Sequence, residues 1–91
     1  EPQTIADGAR TVSLGEKNWK ILQTGLQGIL PVDEECIYEA MRWFASEGLR
    51  VEPTGSVTLG AIIQHKNILQ KKTIVAVISG GNVDDAIWGV L

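Results

Sequence analysis

The sequence predicts an α/β fold, a fragment of an open, mostly parallel sheet with flanking helices. Three observations predict it. Residues 73–78, Thr-Ile-Val-Ala-Val-Ile, form an apolar run that does not alternate with polar residues, as expected of a central parallel strand covered on both faces. That run empties into Ser79-Gly80-Gly81-Asn82, and open α/β sheets bind ligands just past the carboxyl ends of their strands. Between Gln27 and Ile78 the elements read strand, helix, helix, strand, an order that favours parallel pairing.

In order, residues 16–24 suit a short helix with Trp19 and Leu22 on one face. Gln27 to Val32 reads as a short strand ending at Pro31-Val32. Asp33 is placed as the N-cap of the next helix, with Glu34 and Glu35 at the positive end of its dipole. Ile37, Ala40, Met41, Phe44 and Ala45 recur at helical spacing and make one apolar face. Gly48 stops that helix at C′. A further helix is expected from about Ser56 to Ile68, with Leu59, Ile62 and Ile63 as its apolar residues. Two strands alone leave unpaired edges and little core, so the remaining sheet partners are expected elsewhere. The abrupt opening Glu1-Pro2-Gln3 and the apolar ending Ala86 to Leu91 support reading residues 1–91 as a partial domain.

Composition bounds the function. Ninety-one residues hold at most one small domain, and 44% apolar with 21% charged residues is ordinary for a soluble chain. A net charge of −3 with no basic stripe argues against nucleic acid as the partner. No apolar run approaches the roughly 20 residues of a membrane span. Cys36 is the only cysteine, which rules out an internal disulfide and fits a reducing, cytoplasmic setting. Its place in the first turn of a helix could lower its pKa, but without a base nearby it reads as packing. His65, the only histidine, is placed near a helix C-terminus rather than at a metal; no metal site is assigned. Glu34, Glu35 and Glu39 read as a solvated face.

Three stretches carry a resemblance: Thr4-Ile5-Ala6-Asp7-Gly8 followed by Gly15 and Trp19; Val51-Glu52-Pro53-Thr54-Gly55-Ser56-Val57; and Ile78-Ser79-Gly80-Gly81-Asn82-Val83-Asp84. In their order and spacing the chain resembles the pyridoxal-phosphate (PLP) enzymes of fold type II, in the serine/threonine dehydratase and serine racemase branch. The resemblance implies a three-layer, tryptophan synthase β-like fold, of which residues 1–91 would be the C-terminal part of the large, cofactor-binding domain. It implies PLP as cofactor. Ser79 would hydrogen-bond the pyridine nitrogen, Gly80, Gly81 and Asn82 would line the ring edge, Glu52 would lie near the ring, and Asp7 and Gly8 beside the ring hydroxyl and the substrate. The activity implied is dehydration and deamination of serine, threonine or a related β-hydroxy amino acid, as part of a larger and oligomeric, dimer-like enzyme. The alternatives are serine racemisation, or a truncated non-catalytic module that binds a ligand or a partner chain.

One departure limits the transfer. The family's Schiff-base lysine and its glycine-rich phosphate loop belong to a segment far N-terminal to these motifs. Lys17, Lys20, Lys66, Lys71 and Lys72 all stand in polar contexts, whereas a reactive lysine needs a desolvated one. No catalytic residue is therefore assigned within these residues, and the chain alone is expected to be inactive.

Overall fold

The computed structural model describes residues 3–9 and 15–91; Glu1 and Pro2, where the abrupt opening was read, lie outside the described residues. Among the described residues five helices follow in order: α1 (Glu16–Gly25), α2 (Glu34–Ser46), α3 (Val57–Gln64), α4 (Lys66–Leu69) and α5 (Asp85–Trp88). Single 3₁₀ turns occur at Asp7–Ala9 and Thr54–Ser56.

The helix α2 anchors the molecule. The expected stripe is present, with Ile37, Ala40, Met41 and Phe44 buried. Its start is Asp33, whose backbone is extended and whose carbonyl accepts from the amides of Cys36 and Ile37. The Asp33 side chain makes no capping bond. Its end is a Schellman motif. Gly48 sits at φ +78°, its amide donates to Ala45, and the Leu49 amide reaches back to Phe44 at 2.8 Å. Glycine takes that left-handed conformation without a Cβ penalty.

The helix α3 packs on α2, and Gly60 allows the close approach. A Cβ there would stand 3.0 Å from Val32 Cγ1 and 3.2 Å from the Cys36 carbonyl. The expected single helix over 56–68 is broken at His65, which leaves helical geometry at φ −113°, ψ 35°. Its Nε2 bonds the Pro31 carbonyl at 2.7 Å, and the Gln64 side chain accepts from the Asp33 amide at 2.6 Å. Consecutive side chains at this break thus tie α3 to the segment that leads into α2.

The core gathers Ala6, Ile37, Met41 and Val83, with Val32, Val57, Ile87 and Trp88 packed against it. It therefore joins the N-terminal stretch, α2 and the stretch after residue 82. The helix α1 buries no residue. The radius of gyration is 14.0 Å, in a slab of 40 × 34 × 18 Å, whereas a compact domain of this length would have about 12 Å.

The sheet expected from the sequence is not formed among the described residues. Residues 27–32 and 73–78 run without a strand ladder, and the segment read as a buried strand is open, with Val75 92% and Val77 74% exposed. The physical reason is pairing. A strand needs a neighbour to satisfy its amides and carbonyls and to cover its faces, and the Val77 carbonyl is met by the Thr58 hydroxyl of α3 at 2.9 Å rather than by a strand among the described residues. One other expectation changes. Glu34 is partly buried rather than part of a solvated face, because its Oε2 accepts the Ile5 amide at 3.1 Å. Cys36 is half-buried, in line with its reading as packing, and its thiol is pushed up from its ordinary pKa: burial opposes the thiolate first, then the carboxylates of Glu39, Asp33 and Glu35. The nearby negative charges and the desolvation outweigh the helix terminus, and the thiol stays protonated at neutral pH.

Candidate functional site

The three motif stretches, far apart in the chain, converge. The Gly8 amide donates to Thr54 Oγ1 at 3.1 Å, which joins the Asp7–Ala9 turn to the Thr54–Ser56 turn. The Glu52 amide donates to the Gly80 carbonyl at 2.9 Å. Gly55 lies so close to the Ser79 carbonyl that any Cβ on it would overlap that backbone. Residues 4–8, 51–57 and 78–84 are therefore one structural unit.

Local backbone explains why these residue types stand here. Gly80 adopts φ +80°, where side chains are strained, and an added Cβ would collide with the Glu52 carboxylate. Pro53 and Gly55 are buried, and Ser56, fully buried, returns its hydroxyl to the Glu52 carbonyl at 2.9 Å. The loop that carries Glu52 is thus held from below by Ser56 and from above by Gly80.

A cleft of about 150 Å³ opens at this junction, lined by Asp7, Glu52, Asn82 and Asp84 among others. It brings together three of the candidate site residues: Asp7, Glu52 and Asn82. Ser79, Gly8, Gly80 and Gly81 do not line it. Ser79 is exposed and stands on the Gly55 side of the turn. The side chains of Asp7, Glu52, Ser79 and Asn82 make no hydrogen bond among the described residues. A larger cavity of about 430 Å³, walled by Ala6, Leu30, Val32, Ile37 and Val57, contains none of the candidate residues.

Two contributors were not apparent from the sequence. Gly55 belonged to a quoted motif, but its contact with Ser79 is nonlocal. Arg50 precedes that motif, and its guanidinium reaches Val83 and Asp85. The only signal for it was its position two residues before Glu52.

The chemistry of the donor set can be tested against pyridoxal phosphate. Asp7, Glu52 and Asp84 put three carboxylates around one small cleft, a poor place for a phosphate dianion. A flat pyridine ring suits the turn better. Ser79 offers a neutral hydroxyl on an exposed turn, and Gly80, lacking a Cβ, leaves room for the Glu52 carboxylate beside it. The residues fit the ring end of the cofactor and not its phosphate.

Comparison with known proteins identifies the family. A family model described as pyridoxal-phosphate dependent enzyme matches residues 1–80, and the chain belongs to that family. It is 39% identical to the serine racemase of Schizosaccharomyces pombe and 37% identical to the L-threo-3-hydroxyaspartate ammonia-lyase of a Pseudomonas species. Each alignment takes in 91% of this chain and 26% of the relative. The crystal structure of a threonine deaminase from T.th. superposes with a TM-score of 0.84 at 44% identity, over 91% of this chain and 30% of that one. The chain thus spans about a quarter of the length of the curated relatives it matches, and it shares the fold of the corresponding part of the deaminase.

Proposed function

We propose that residues 1–91 form the ring-binding part of the large domain of a PLP-dependent ammonia-lyase that acts on a β-hydroxy amino acid. The observation that carries the reading is the convergence of the three motif stretches around side chains that make no hydrogen bond among the described residues. The relatives add the substrate class. Serine, threonine and 3-hydroxyaspartate, the compounds their names give, all carry a hydroxyl on the carbon next to Cα. The net reaction removes the α-proton and the β-hydroxyl, and hydrolysis of the resulting enamine yields a 2-oxo acid and ammonia.

When bound, pyridoxal phosphate supplies an electron sink for the charge that develops at Cα. The chain's own residues orient it. Ser79 would donate its hydroxyl to the pyridine nitrogen and, being neutral, would hold that nitrogen without handing it a proton. Gly80 and Gly81 would line the ring edge, with Glu52 and Asn82 near the ring. Asp7 and Gly8 would stand beside the ring hydroxyl and the substrate. The phosphate, which the three carboxylates repel, is held by the remainder of the enzyme, as is the covalent lysine. That remainder also supplies strands beside residues 73–78, completing an open sheet and covering Val75 and Val77. We place the enzyme in the cytoplasm, as an oligomer. No helix among the described residues is long and apolar enough to cross a membrane.

Serine racemisation is the second reading, favoured by the match to the S. pombe enzyme. It shares α-proton removal and differs in returning the proton to the opposite face.

Ser79→Ala tests the assignment in the intact enzyme. It leaves a buried ring nitrogen without its donor, which costs on the order of 1–3 kcal/mol. Ammonia release from L-serine or L-threonine should fall by roughly one to two powers of ten. Unchanged turnover and unchanged cofactor affinity would reduce Ser79 to a turn residue.

A further inference from the structure

We propose that Arg50 is a positioning residue for the Ser79–Asn82 turn, an assignment that rests on the function proposed above. Residues 50–52 form the bed on which the turn lies. The Glu52 amide holds the Gly80 carbonyl at 2.9 Å. The Arg50 carbonyl closes on Gly81, where an added Cβ would be 3.0 Å away. The Arg50 side chain completes the bed by reaching past Gly81 and Asn82. Its Nη2 donates to the Val83 carbonyl at 2.9 Å and to Asp85 Oδ1 at 2.7 Å. The guanidinium carbon stands 5.0 Å from the centre of the Trp88 ring.

These contacts differ in weight. Asp85 is 97% exposed and Arg50 is 41% exposed at the side chain, so their ion pair is solvent-screened and contributes little. The bond to Val83 is different. Val83 is buried, and its carbonyl ends the turn on the side away from Ser79. A charge-assisted bond there fixes where the turn re-enters the core, and the Trp88 face keeps the guanidinium plane in register. Arg50 thus sets the path of residues 79–83 without touching the cofactor itself.

The test compares Arg50→Leu, Arg50→Lys and Asp85→Asn in the intact enzyme, with pyridoxal phosphate as the titrated ligand. Two quantities are read: the cofactor dissociation constant and the melting temperature of the cofactor-free protein. Arg50→Leu should weaken cofactor binding about tenfold while the cofactor-free melting temperature stays at the wild-type value. Arg50→Lys, which keeps the positive charge but not the planar, forked donor set, should fall between the wild type and Arg50→Leu. Asp85→Asn should change affinity by less than about twofold. Wild-type affinity in Arg50→Leu would overturn the proposal, as would a loss of affinity accompanied by an equal loss of cofactor-free stability. A tenfold loss in Asp85→Asn would also overturn it, by moving the role to the ion pair. If the wild-type enzyme itself bound no pyridoxal phosphate, the proposed function would fail instead.

Discussion

Gly80→Val should weaken pyridoxal-phosphate binding to the intact enzyme by at least about tenfold. Two independent effects act on the same residue. At φ +80° a β-branched side chain is strained by on the order of 1–3 kcal/mol. Its Cβ would also occupy the place of the Glu52 carboxylate. Either the turn leaves its conformation, carrying Ser79 and Asn82 with it, or Glu52 is displaced from the cleft. Both outcomes disturb groups assigned to the ring. Cofactor titration monitored by visible absorbance is the check, and wild-type affinity would show that the turn tolerates a path that Ser79 and Glu52 do not depend on.

Met41→Ala should destabilise the folded enzyme by about 2–5 kcal/mol, the range for truncating a buried Met where neighbours close in only partly. Met41 is fully buried and belongs to the same cluster as Ala6, Ile37 and Val83. Those neighbours come from the N-terminal stretch, α2 and the stretch beyond the turn. The cavity therefore opens where the segments bearing Asp7 and Asn82 meet. Met41→Leu, which conserves volume, should cost less than about 1.5 kcal/mol. Chemical denaturation of both variants decides it. A loss below about 1 kcal/mol for the alanine variant, well under the usual range, would mean that Met41 does not pin these segments together.

What the sequence made legible was local. The stripe Ile37, Ala40, Met41 and Phe44 announces α2 through its own spacing, and Gly48 announces its end because only the last turn's geometry is at stake. What it concealed depends on distant partners. Residues 73–78 carry the composition of a buried strand, but burial and pairing come from neighbours that no local pattern encodes. Glu34 has the pattern of a solvated residue, but its carboxylate accepts the Ile5 amide, 29 positions away. The break at His65 follows from its bond to Pro31, a residue on another segment. The site shows the same division. Asp7, Glu52, Ser79 and Asn82 are candidates from the motifs, and the structure brings three of them, Asp7, Glu52 and Asn82, to one cleft. That Gly80 is needed for Glu52, and Gly55 for Ser79, emerges only from the convergence of the chain, and the role of Arg50 depends on Val83, 33 positions away.

The protonation state of the cofactor's pyridine nitrogen tests the central claim most directly. It is read from the nitrogen-15 chemical shift of labelled pyridoxal phosphate bound to the intact enzyme. With Ser79 as a neutral donor, the wild-type enzyme should show the shift of an unprotonated, hydrogen-bonded nitrogen. Ser79→Asp, which places a carboxylate at the same position, should move the signal to the protonated range. A protonated nitrogen in the wild type, or one signal common to both proteins, would show that Ser79 does not face the ring and would contradict the assignment of residues 78–84 to the cofactor.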